Sequence, residues 1–141
     1  MWPFFPTFCR HLLWSLEILY YPPFVLATLV IIGSIVASVL IQRPFAKEVW
    51  KQRYSVVFVQ FLCFPAVIAV AATGRVDGPE PNDWGLRAAD LLSLISLGLG
   101  IYWIWIMKGL PWYATSVTLL QLWLLAAANF IAGMALTGRW L

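Results

Sequence analysis

Few residues in this chain are equipped for chemistry. Its single histidine, His11, rules out a bis-histidine haem site, and a metal would need ligands of other kinds. Cys9 and Cys63 lie too far apart for a CxxC redox pair or a zinc-ligand spacing, so both read as inert thiols. Asp77, Glu80, Asn82 and Asp83 bring several oxygens together, but two intervening prolines and the lack of EF-hand spacing argue against a divalent-cation loop. An intramembrane enzyme acting on lipid or isoprenoid would need a nucleophile or an acid–base pair. His11 with Glu17 is the sole candidate, so the chain is read as a non-enzyme with no intrinsic cofactor and no metal.

Charged residues beside apolar runs are candidates of another kind, because an ionisable group at bilayer depth costs several kcal/mol, about 2.5–3.5 on insertion scales, and tends to be functional. Asp90 stands seven positions past Asp83, about 10 Å along a helix. Arg87, three positions before Asp90, offers it an interfacial ion pair; otherwise Asp90 is an ion or substrate contact. Glu17 would be a proton-for-cation exchanger if it sat inside a span. It precedes the first long apolar run instead, within reach of Arg10 two helical turns away.

Uncharged polar residues carry more pattern. Thr118, Gln121 and Asn129 fall on one line of a helix, and amides in lipid are expected to point at protein, where they fasten helices or line a polar path. Ala89, Ser93, Ser96 and Gly100 form a small-residue face, and Gly33 with Ala37 and Ser34 with Ser38 form small-xxx-small pairs. Such faces allow backbones to approach closely. Pro65, with Gln60 and Cys63 nearby, predicts a kink with a local polar surface.

The elements that must carry these groups follow from composition. Of 141 residues, 62% are hydrophobic and 11% are charged, whereas a soluble domain carries about 25% charged residues. Nine Lys/Arg and six Asp/Glu cannot clothe a globule of this size, and the mean hydropathy of +0.85 agrees. The expected fold is an all-α integral membrane protein, one domain over 1–141, with four transmembrane helices at about 22–42, 54–73, 84–107 and 112–136. Residues 7–21, interrupted by Arg10, His11 and Glu17 and closed by Pro22-Pro23, are read as an amphipathic helix lying in the interface, His11 solvated there. Asn82 or Asp83 should cap the third span, and Gly138 should close the fourth.

Orientation comes from the loops. Arg43, Lys47, Lys51 and Arg53 against Glu48 give the first loop a net +3; Arg75 and Arg87 against Asp77, Glu80, Asp83 and Asp90 give the second −2. The positive-inside rule then places loop 43–53 in the cytoplasm and both termini outside, in a bacterial inner membrane. Aromatics at Tyr102, Trp103, Trp105, Trp112 and Tyr113 inside, and at Trp2, Phe4, Phe5, Phe8, Trp84 and Trp140 outside, suit interfacial belts, though flat rings could also hold a lipid, quinone or pigment. The basic residues bracket apolar runs and form no stripe for nucleic acid. The mid-helix Glu of small multidrug exporters and the paired cysteines of disulfide-forming membrane enzymes are both missing, and no family is assigned. The functional expectation is a small non-catalytic membrane subunit that assembles with or stabilises a larger complex, its partners lipids and other membrane chains or copies of itself. The alternative is a homo-oligomeric channel or small transporter with its path on the fourth helix.

Overall fold

The computed structural model describes residues 4–42, 54–74, 80–107 and 110–138, and among these every regular element is helical. Helix α1 covers Phe4–Glu17, followed by a 3-10 turn at Ile18–Tyr20; α2 covers Pro22–Gln42, α3 Tyr54–Thr73, α4 Asp83–Ile106 and α5 Pro111–Thr137. Segments Pro22–Ile41, Asp83–Ile106 and Pro111–Thr137 are long and apolar enough to cross a membrane, while Val57–Thr73 is a shorter apolar helix. The basic loop at 43–53, most of the acidic loop, and Lys108 lie outside the described residues.

Helices α3, α4 and α5 form the centre. Gln121 Nε2 of α5 donates to the Gln60 carbonyl of α3 at 2.8 Å, and Asn129 Nδ2 of α5 donates to Ser93 Oγ of α4 at 2.8 Å. At one end, Gly74 and Gly85 both abut the Leu136 side chain. These pairings make α3 parallel to α5 and α4 antiparallel to both. Small residues permit the close approach: Ala71, Ala89, Ala128, Ala132 and Ala135 are buried around Val67, Ile68, Leu125 and Leu136. At the other end Trp103, Met107, Leu110, Ala114 and Val117 make a second cluster.

Helix ends are set by identifiable residues. Asn82 Oδ1 accepts from the Gly85 N–H at 3.0 Å and so caps α4, which settles the choice between Asn82 and Asp83. Its Nδ2 donates to the Gly74 carbonyl at 2.9 Å, and its own N–H donates to the Leu136 carbonyl at 2.8 Å. One asparagine thus joins the ends of three helices. Pro111 opens α5, where a missing N–H costs nothing, and Gly138 closes it in the left-handed conformation with φ 66°. Pro65 lies inside α3, and the helix continues through it.

Helix α1 differs from the surface helix expected. It packs along α3 and α5, with Phe8 and Leu12 against the core and both His11 and Ser15 fully buried. Arg10 and Glu17 stay exposed, so the charges that argued for a peripheral position occupy the outer face and leave an apolar face to pack. Ser15 Oγ satisfies itself on the His11 carbonyl at 2.8 Å.

Helix α2 runs antiparallel to α5. Phe24 stacks near Trp123 with centroids 5.3 Å apart, Trp123 Nε1 donates to Thr28 Oγ1 at 3.0 Å, and Ser34 and Ser116 hydroxyls bond at 2.7 Å. It therefore starts alongside the middle of α5, and α1 covers the remaining length. Between them the chain breaks at Tyr21, whose ψ of 141° is the extended conformation demanded of a residue before proline. Within α2 only Ser38 is buried among the described residues, and a side chain built at Gly33 would meet nothing within 4 Å.

Candidate functional site

Three places gather the polar and ionisable residues. The first is interior. Gly100 lets α3, α4 and α5 converge: a Cβ there would stand 2.5 Å from Thr118 Cγ2 and 2.9 Å from Gln60 Nε2. Gln60, Ser96 and Gln121 are fully buried and Thr118 nearly so. Gln121 spends its Nε2 on the Gln60 carbonyl, yet Gln121 Oε1, Gln60 Oε1 and Nε2, Ser96 Oγ and Thr118 Oγ1 have no hydrogen-bond partner. Each buried group of this kind costs about 1–3 kcal/mol unless satisfied. The node as described carries no charged side chain, so it can hold hydrogen-bonding species through its amides and hydroxyls.

The second place is a crevice of about 550 Å³ between α4 and α5, lined by Asp90 and Ser93 from α4, Asn129 from α5, and leucines of both helices. Asn129 Nδ2 is committed to Ser93 Oγ and, at 3.0 Å, to the Leu125 carbonyl; Ser93 Oγ itself donates to the Ala89 carbonyl at 2.8 Å. Asp90 is exposed, and it forms no ion pair with Arg87, which is exposed as well and stands outside the crevice. The residues expected along one path on α5 thus separate: Thr118 and Gln121 face the interior node, and Asn129 faces the crevice with Asp90.

The third place is a groove of about 770 Å³ where α1, the 3-10 turn and the start of α2 meet α5. Trp14, Tyr21, Phe24, Trp123 and Phe130 line it with aromatic rings, and among the described residues Glu17 is its only charged lining residue. His11 is not part of it. Six positions before Glu17, and so about 240° around the helix, His11 lies on the buried face while Glu17 lies on the exposed one. The pair does not form an acid–base site.

Helical spacing in the sequence points to Gln121, Asn129, Ser93, Ser96, Gly100 and Thr118; the structure sets Gly100 against Thr118 and Gln60, whose carbonyl Gln121 bonds, and buries Ser96 one turn before Gly100 on α4. Gln60 stands out in the sequence only beside the Pro65 kink; the missed signal was that a lone glutamine within the apolar run 54–73 needs a partner on a neighbouring helix. Trp103, read as a belt residue, is 3% exposed and packs edge-on against Tyr113 with centroids 6.0 Å apart. Tyr102 and Trp105 remain exposed and stack at 6.5 Å. Gly33 faces away from the bundle and joins none of the three places.

No protein-family model matches the chain, and neither a curated protein nor a solved structure resembles it significantly.

Proposed function

We propose that this chain is a small, non-catalytic integral membrane subunit that crosses a bacterial inner membrane four times and packs against other membrane chains through α2. The observation that carries the reading is the state of α2. It is the most apolar helix, with a mean hydropathy of 2.8, yet it is fastened chiefly to α5 and to the turn before it. Its outward face bears Gly33 and Ala37, both exposed, one turn apart. Within lipid, apolar helices have no hydrophobic drive to associate; close backbone approach at small residues supplies one. The comparable small-residue face of α4 is consumed inside the bundle, where Ala89, Ser96 and Gly100 are buried. That of α2 is spare.

Four crossings are supported by the alternation of α3, α4 and α5: α3 is enclosed by two helices of spanning length and shares their ends through Asn82. The amides of Gln121 and Asn129 are bonded within the chain, which favours fastening over a conducting path. Photo-crosslinking in native membranes tests the reading. A photoreactive side chain at position 33 or 37 should give discrete protein adducts, while one at Leu94, on the exposed face of α4, gives lipid adducts. Lipid adducts alone at all three positions would overturn it.

A further inference from the structure

We propose that the groove at the break between α1 and α2 binds a lipophilic organic cation: a protonated amine or onium group carried on an apolar body. The volume of about 770 Å³ suits one drug-sized molecule. Its chemistry is selective in charge. Among the described residues Glu17 is the only charged group in the lining, and it forms no ion pair with another of them. Arg10, the nearest cation in sequence, stacks on Trp14 with its guanidinium carbon 5.8 Å from the ring centre, and it does not line the groove.

Around that carboxylate stand Trp14, Tyr21, Phe24, Trp123 and Phe130. Aromatic faces attract cations through the ring quadrupole, and organic ammonium groups, weakly hydrated, are the cations that rings hold well. The rest of the lining is aliphatic, which suits an apolar body and rejects a hydrated metal ion. A zwitterionic lipid headgroup fits less well, because among the described residues no Lys or Arg lines the groove to meet its phosphate.

Depth sharpens the inference, and here it rests on the membrane reading above. Glu17 lines the same groove as α5 residues from Trp123 to Met134, which lie from one residue before to ten past Leu124, the midpoint of α5. At about 1.5 Å per residue the groove then runs from the bilayer centre to about 15 Å, the hydrocarbon half-thickness. A carboxylate lining such a groove within the hydrocarbon is costly unless a cation or a proton accompanies it. The break supplies the space: Pro22-Pro23 and the extended Tyr21 end one helix and start the next, so no continuous helix fills the position opposite α5.

The test uses the full chain in maltoside micelles, with tetraphenylphosphonium as probe and tryptophan emission as readout, since Trp14 and Trp123 line the groove. Saturable binding of one probe per chain is expected. Glu17→Gln should weaken it by about tenfold or more and Glu17→Asp by no more than about threefold, with Phe130→Leu costing severalfold. Glu80→Gln, at an exposed site away from the groove, should leave it unchanged. Equal affinity for Glu17→Gln and the unaltered chain would overturn the proposal. So would equally tight binding of neutral triphenylphosphine oxide to the unaltered chain, a comparison that stands even if Glu17→Gln fails to fold. Displacement by dodecylphosphocholine as effective as by a second onium cation would assign the groove to zwitterionic lipid instead. Solubility of the chain without detergent would remove the support from depth and leave that from charge and rings to be judged by the same titrations.

Discussion

Asn82 illustrates how much one residue can hold. Its Oδ1 caps α4, its Nδ2 reaches the carbonyl at the end of α3, and its N–H reaches the carbonyl of Leu136 near the end of α5. Asn82→Ala removes the cap and strands the Gly74 carbonyl, and should cost about 1–3 kcal/mol in unfolding monitored by circular dichroism in detergent. Asn82→Asp keeps an acceptor for the cap but loses the donor, so it should fall between; an alanine variant as stable as the parent would refute the clamp. The cap itself was legible in sequence, because Asn before a long apolar run is a helix-start signal. The other two bonds were not, since they depend on which helix ends meet. The same limit applies to Gln121: its face on α5 could be read from spacing, whereas its partner, the Gln60 carbonyl, lies on another helix. For His11 the reading failed for a physical reason. Neighbouring charge suggested solvent, but Arg10 and Glu17 point outward and His11 lies inward on the same helix.

The four long helices coincide within a residue with the apolar runs read from the sequence, because runs of that length bounded by Pro, Gly and charge admit few other structures, whereas α1 begins three residues before and ends four before the expected 7–21. What hydropathy could not reveal was how α1 and α2 share the flank of α5. A fourteen-residue helix reads as too short to cross, yet it packs over one part of α5 while α2 packs over the other. Helix packing also assigns opposite roles to two glycines in a single turn of α4. Gly98 is exposed, with nothing within 4 Å of an added Cβ, while at Gly100 the same atom would collide with Thr118 Cγ2 and Gln60 Nε2. Gly98→Ala should therefore leave stability unchanged or raise it by up to about 1 kcal/mol through helix propensity. Gly100→Ala should lower it by about 1–3 kcal/mol, since the β-branched Thr118 has little freedom to retreat. Thermal unfolding of the two variants in one detergent compares them directly, and an equal effect of both would mean that α4 and α5 are not in close contact at Gly100.

For the molecule as a whole, the alternation of helices relates the ends to one another, and charge is left to choose the side. Helix α3 is parallel to α5 and α4 antiparallel, with Gly74, Gly85 and Leu136 level at one end, and this alternation supports the proposed crossing of α3 beside α4 and α5. Helix α2 is antiparallel to α5, so an N-terminus leading into it through α1 emerges on the side where α5 ends. If the four proposed crossings hold, the ends leading from α1 and α5 share one side, whichever that side is. Charge chooses between the two: the net +3 over residues 43–53 should be retained in the cytoplasm, leaving the ends outside. Replacing Cys9 and Cys63 with serine and alanine, and appending one cysteine to either end, permits labelling of intact cells with an impermeant maleimide. Both appended thiols should react without permeabilisation, and a cysteine in place of Lys47 should react only after it. Protection of both ends would invert the molecule while keeping the helix order. Reaction of one end alone would mean that α1 and α2 together fail to complete a crossing, and the groove holding Glu17 would then open at the membrane surface instead of within it.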